Sequence, residues 1–190
     1  TAAMALDYGT ANLGTPLDAT RPIKSGRFTI SDYKPQHRVM NLSEVFMHSS
    51  NIGSVRLAEV VGRDRQREFL SRAGLLRAPS FELLENSAPI VPNPWRETSL
   101  MTVSFGHGIS LSPLALSAST AAIVNGGIYR APTILRRQPG EHVAGERVVS
   151  QRTSEQVRRL MRLVVERGTA KSASVPGYLV GGKTGTAEKV

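Results

Sequence analysis

Tyr178-Leu179-Val180-Gly181-Gly182-Lys183-Thr184-Gly185-Thr186-Ala187, close to the end of the sequence, makes residue choices that folding alone does not call for. Tyr178, Leu179 and Val180 suit an extended segment, whereas Gly181 and Gly182 are poor strand formers, useful where another backbone or a ligand must come close. Lys183 adds a positive charge, with hydroxyls and another glycine behind it. An ammonium for a carboxylate, hydroxyls for hydrogen bonds and bare backbone for strand-like pairing are the parts of a site for an anionic, peptide-like ligand. The same run also fits a glycine-kinked strand with a solvated lysine, so the rest of the chain has to decide.

Working outward, 190 residues are enough for one folded unit with a real core. The composition, 40% hydrophobic and 21% charged, is that of an ordinary globular protein. No apolar run approaches the roughly 20 residues of a membrane-spanning helix, and no signal peptide is recognisable. The net charge is +9, and 19 of the 24 basic residues are arginine. Such a balance suits an anionic neighbour or simply an arginine-rich solvated surface. Zero cysteines exclude disulfides, thiol nucleophiles and zinc–cysteine sites. A start at Thr1 and an end at Val190, just past the glycine-rich run, read as an excised fragment.

The remaining segments supply a coarse framework. Thr1–Leu6 is helix-favouring, while Asn12–Lys24 and Ser31–Arg38 read as loops around a short extended candidate at Arg27–Ile30. A short helix over Asn41–Met47, capped by Asn41 or Ser43, delivers the chain to Ser49-Ser50-Asn51, and a second helix runs to Gly62. Three small polar residues held between rigid flanks can aim hydroxyls and an amide at one spot; Ser49 and Asn51 equally suit capping of the second helix. Asp64 caps a third helix, and Arg77–Arg96, with four prolines, is a surface excursion. Met101–Phe105 reads as extended, before the turn Gly106-His107-Gly108. Ser112-Pro113 starts a buried helix ending at Asn125-Gly126-Gly127. Ile128–Arg137 and Arg147–Val149 read as extended segments. Thr153 to Gln156 forms a capping box for an amphipathic helix with Arg158, Arg159 and Arg162 outward.

Taken in order, Ser49-Ser50-Asn51, Ser104-Phe105-Gly106-His107-Gly108, Asn125-Gly126-Gly127 and Lys183-Thr184-Gly185-Thr186 resemble the transpeptidase domain of penicillin-binding proteins. The resemblance covers nearly the whole chain and is closest to the monofunctional, division-specific peptidoglycan D,D-transpeptidases. It implies an α+β fold, an antiparallel sheet covered by helices, of which residues 1–190 would be a partial transpeptidase domain truncated at both ends. The family's first motif, Ser-x-x-Lys on a helix, is not found in a suitable place: the literal match Ser31-Asp32-Tyr33-Lys34 is followed by Pro35, which disfavours helix at Lys34. The true motif is expected just upstream of Thr1.

By the same resemblance, an absent serine, activated by its absent lysine, would attack the carbonyl between two terminal D-alanines of a peptidoglycan stem peptide. Ser49 would relay the proton to the leaving D-alanine, Asn51 would hold the substrate amide, and Lys183 would supply positive potential. Thr184 and Thr186 would bind the terminal carboxylate, Gly181, Gly182 and Gly185 would let the peptide lie against the strand, and a backbone N–H near Ala187 would serve the oxyanion. The resemblance further implies β-lactams as ligands, division proteins as partners, an inner-membrane enzyme working on the periplasmic face, and no cofactor or metal. This piece alone is expected to be inactive. A D-alanyl-D-alanine carboxypeptidase, a β-lactamase and a penicillin-sensing domain share these motifs. A nucleic-acid-binding module would rest on charge alone, without interleaved aromatics.

Overall fold

The computed structural model describes residues 1–26, 28–83, 86–138, 140–141 and 143–185. Helices carry most of it. The first, α1 (Ala2–Asp7), is built from small and flexible apolar residues, and Met4 and Ala5 are almost wholly enclosed. That small cross-section lets α1 lie at the centre, against both α3 (Asn51–Val61) and α7 (Gln151–Glu166).

Around this axis the chain adds α2 (Leu42–His48), α4 (Arg63–Arg72), α5 (Glu97–Val103) and α6 (Pro113–Val124). Among the described residues, strands are short and come in three separate antiparallel pairs: β1 (Pro16–Asp18) with β4 (Val39–Asn41), β2 (Ile23–Ser25) with β3 (Phe28–Ile30), and β5 (Ile128–Tyr129) with β6 (Glu146–Arg147). Met40, Leu42, Ile52, Val55, Leu57 and Phe69 join α1 in the main core. A smaller cluster of Val164, Val165 and Ala170 is covered by Phe46 and Val180, which ties α2 and the Val180 segment to the far end of α7.

The mixed α and β architecture agrees with the sequence reading, and several local expectations do not. Ser31–Arg38 is loop as expected, but Asn12–Lys24 is not wholly loop, because β1 lies within it and β2 begins in it; strands of three residues are too short to show a period in sequence. Met101–Phe105 lies mostly in α5, not a strand. Ser99 Oγ accepts from the Arg96 N–H at its start, and the buried Gln66 amide donates to Leu100 O, so tertiary contacts decided what a five-residue apolar run could not.

Two cap assignments move. Gly62, not Asp64, precedes α4. Helix α7 starts at Gln151 with Ser150 Oγ accepting from Thr153 N–H at 3.1 Å, so Thr153 lies inside the first turn and is buried. Helix α6 was expected to be buried, yet only Ala115, Ser119 and Ala122 are, and Leu116 is exposed. Of the extended run Ile128–Arg137, only Ile128–Tyr129 pairs.

The expected strand at Tyr178–Ala187 is also corrected. Residues 178–185 form no strand among the described residues, and Tyr178 and Leu179 are 72% and 91% exposed. The segment instead runs along α7: Gly182 N–H donates to Met161 O at 3.1 Å, and Arg162 Nη1 donates to Val180 O at 3.1 Å. Thr186 and Ala187 lie outside the described residues.

Candidate active site

Asn41 opens α2 with a reciprocal cap: its Oδ1 accepts from Glu44 N–H, and Glu44 Oε2 accepts from Asn41 N–H, both at 2.9 Å. The helix ends at Ser49, in the left-handed conformation at φ 58° and ψ 46°. A non-glycine residue there costs conformational energy, and glycine is the usual occupant of such a helix-ending turn. The serine brings to that position a hydroxyl that glycine would lack.

That hydroxyl accepts a hydrogen bond from Lys183 Nζ at 2.6 Å, across 134 residues of sequence. Lys183 Nζ also donates to Thr184 O at 3.1 Å and lies 5.9 Å from the centroid of the Phe46 ring. Although much of the Lys183 side chain is open to solvent, this surrounding buries its amine end enough to lower its pKa from the usual lysine value. The protonated amine would place positive potential at Ser49, and a lowered pKa makes its proton easier to exchange within the pair.

Ser49 is therefore not a cap of α3. That task falls to Ser50, whose Oγ accepts from Gly53 N–H at 2.9 Å and donates to Asp32 Oδ2 at 2.7 Å. Asp32 Oδ1 in turn accepts from Ile52 N–H at 2.9 Å, so one buried carboxylate closes the amino end of α3 and fixes the middle residue of the serine-asparagine loop. Asn51 Nδ2 donates to Ser31 O at 2.9 Å. Ser31 to Lys34 is not helical. This stretch supplies a two-residue clamp on the loop, through the Asp32 carboxylate and the Ser31 carbonyl. Asp32 was passed over in the sequence because its only visible context was that literal match.

On the other side of the site, the glycines divide by role. A Cβ at Gly181 would sit 3.3 Å from Arg162 N, so the close backbone approach expected here is made by α7 itself. Among the described residues, no heavy atom lies within 4 Å of a Cβ added at Gly182 or Gly185, so none of them fills that space. Thr184 Oγ1 lies 2.7 Å from Thr169 Oγ1. Arg162, read in the sequence as part of an outward stripe, bridges Glu166 and Val180 O, while Arg158 and Arg159 are exposed.

The intervening motifs serve the fold. Asn125 brackets a turn by bonding both Ile128 O and Ile128 N–H, and Gly127, at φ 92°, has no room for a side chain against Val149 O. His107 is exposed, with its ring stacked on Phe105 at 6.3 Å. Among the described residues no group of three or more His, Cys, Asp or Glu side chains is placed to hold a metal ion, and no helix is long and apolar enough to cross a membrane.

The family of the penicillin binding protein transpeptidase domain matches residues 1–190 of this chain. The chain belongs to that family. It is 44% identical over 192 residues to the probable peptidoglycan D,D-transpeptidase FtsI of Caulobacter vibrioides, covering 100% of this chain and 33% of that protein. It is 31% identical over 208 residues to penicillin-binding protein PbpB of Mycobacterium tuberculosis, covering 100% of the chain and 30% of that protein. This transpeptidase-family chain thus spans about a third of the length of these curated relatives. Among solved structures, the transpeptidase domain of Burkholderia pseudomallei penicillin-binding protein 3 superposes with a TM-score of 0.92 at 30% identity, covering 100% of this chain and 58% of that one. Penicillin-binding protein 3 of M. tuberculosis, solved in complex with ampicillin, gives 0.89 at 31% identity, covering 100% and 46%. The penicillin-binding fold expected from the motifs is the fold observed.

Proposed function

We propose that these residues are part of a division-type peptidoglycan D,D-transpeptidase that joins stem peptides through a serine acyl-enzyme and is acylated by β-lactams. The observation that carries this reading is the 2.6 Å bond from Lys183 Nζ to Ser49 Oγ, which unites two motifs far apart in sequence. On this reading the acylated serine and its lysine lie outside these residues, within a longer protein working at the periplasmic face of the inner membrane beside division proteins. Residues 1–190 form a partial transpeptidase domain and do not turn over alone.

The chemistry follows from the pair. The outside serine forms an ester bond to the penultimate D-alanine carbonyl as the bond to the terminal D-alanine nitrogen breaks. The attacking serine gives its proton to its own lysine; because Lys183 donates to the Ser49 oxygen, the Ser49 O–H is polarised toward the leaving nitrogen and passes its proton there, and the proton held by the nucleophile's lysine restores the Ser49 hydroxyl. Asn51 has a second amide valence, its Oδ1, to offer the substrate backbone. Lys183 supplies positive potential and Thr184 a hydroxyl for the terminal carboxylate, Gly185 leaves backbone free for the peptide, and the family resemblance assigns Thr186 to the same carboxylate. A second stem-peptide amine then takes the acyl group and restores the serine.

The test is labelling with a fluorescent penicillin. The full-length protein should label, and Lys183→Met and Ser49→Ala should slow it. These 190 residues alone should not label. Labelling of this chain at Ser31 would overturn the nucleophile assignment. Cross-linked product formed with an amine acceptor separates a transpeptidase from a carboxypeptidase or β-lactamase, which use water instead.

A further inference from the structure

The turn that follows α7 touches the Lys-Thr-Gly run through a contact for which the reading above assigns no purpose. Thr169 is exposed and Thr184 half-buried, with their hydroxyl oxygens 2.7 Å apart. The turn that presents Thr169 is firmly set. Arg167 N–H donates to Leu163 O at 2.8 Å, Gly168 N–H to Val164 O at 3.0 Å, and Ala170 N–H to Val164 O at 3.2 Å. Gly168 is wedged against α2: a Cβ there would sit 2.8 Å from Met47 O and 2.9 Å from Val164 Cα. Ala170 is buried with Val164 and Val165, under Phe46 and Val180. Thr169 is thus delivered by a fixed turn seated between the helix that ends at Ser49 and the segment that carries Lys183.

Two hydroxyls bonded to each other share one proton between them and leave the other O–H free. If Thr169 donates, the free proton stays on Thr184, the residue adjoining Lys183. The donation also polarises that O–H, making it a better donor to an outside acceptor. Its neighbour is an ammonium, so the acceptor of matching charge is an anion. A hydroxyl without this partner would rotate among several acceptors, and ordering it would fall on the ligand.

We propose that Thr169 is a positioning residue, donating to Thr184 so that the Thr184 O–H is aimed at the carboxylate of the bound peptide or β-lactam. This rests on the reading that Thr184 faces that carboxylate.

The experiment compares the full-length protein with its Thr169→Val and Thr169→Ser variants, measuring acylation rates by benzylpenicillin and by its methyl ester, which lacks the free carboxylate. The valine keeps the shape and removes the donor. It should slow acylation by benzylpenicillin about fivefold while leaving the slower reaction with the ester unchanged, and serine should restore the rate. Thr184→Val should lower the same rate, and the double variant should be no worse than Thr184→Val alone, since one residue acts through the other. Equal loss on acid and ester, or no loss on either, overturns the inference. If the unsubstituted protein is acylated by neither compound, the proposed function itself fails and this inference with it.

Discussion

The serine-asparagine loop and the Lys183 segment meet at one hydrogen bond, but they are held in different ways. Ser49, Ser50 and Asn51 sit between two helices, and the buried Asp32 carboxylate and the Ser31 carbonyl hold the loop from behind. The Lys183 segment has no sheet around it among the described residues. It rests on α7 through Gly182 and Arg162, and ends in the Thr184–Thr169 pair. One half of the site is therefore pre-set by a buried charge and helix ends, and the other by surface bonds that a ligand can compete with or reinforce. The difference suits the proposed function, in which a proton relay needs a fixed hydroxyl and a peptide-binding edge needs open backbone.

Substitutions can break this asymmetry in order of expected size. Lys183→Met in the full-length protein should slow acylation by a β-lactam about 100-fold or more, with the apparent Tm little changed, because the exposed half contributes function rather than stability. A large fall in Tm would show that both halves are structural.

Asp32→Ala should do the opposite. It leaves the Ser50 hydroxyl and the Ile52 N–H without their acceptor in a buried place, a cost of about 3 kcal/mol. Thermal unfolding should report a fall of about 8 °C, and Asp32→Asn, which can still accept from Ile52, should lose less. An unchanged Tm would mean that the clamp is not holding the loop.

Ser49→Gly sharpens the contrast within one residue. Glycine relieves the left-handed backbone but loosens the unfolded chain, so stability should stay within about 1 kcal/mol of the original. Acylation should still fall, since the acceptor for Lys183 is gone. A stabilised and fully active variant would remove Ser49 from the relay.

The smallest effect is on pH dependence. Burial of its amine end holds Lys183 below the ordinary value of 10.5, so the folded protein releases this proton before the unfolded chain does. Stability should therefore rise as pH climbs through the lowered pKa and level off above 10.5. Lys183→Met should flatten that rise, which thermal unfolding across the alkaline range will show.

Helix ends were the most legible part of the chain, because their signals are local. Asn41 as one of two cap candidates, Ser112 with Pro113, and Gly62 as a stop announce themselves within a few residues, although the caps of α4 and α7 fell on Gly62 and Ser150 and not on Asp64 and Thr153. The three-residue strands and α5 were not legible, since their identity depends on partners distant in the chain, such as Met40 opposite Leu17 and Gln66 against Leu100. In the site, Ser49, Asn51 and Lys183 were legible only as members of an ordered set of motifs, since Ser49 and Asn51 by themselves also read as helix caps and Lys183 as a solvated strand residue. Asp32, Arg162 and Thr169 were not, because an aspartate in a loop, an arginine on a helix face and a threonine in a turn are ordinary in sequence.

What the sequence determined by itself was the order and chemistry of the motifs: a serine-asparagine loop between helices, a glycine-bared lysine run, and no cysteine to do the work instead. Only the tertiary structure decided that Ser49 ends one helix while Ser50 caps the next, that the lysine run lies along α7, and that Asp32 holds the loop. The physical reason is range. Caps and turns are set by bonds within a few residues, whereas the 2.6 Å bond between Ser49 and Lys183 exists only once packing has brought together residues 134 positions apart.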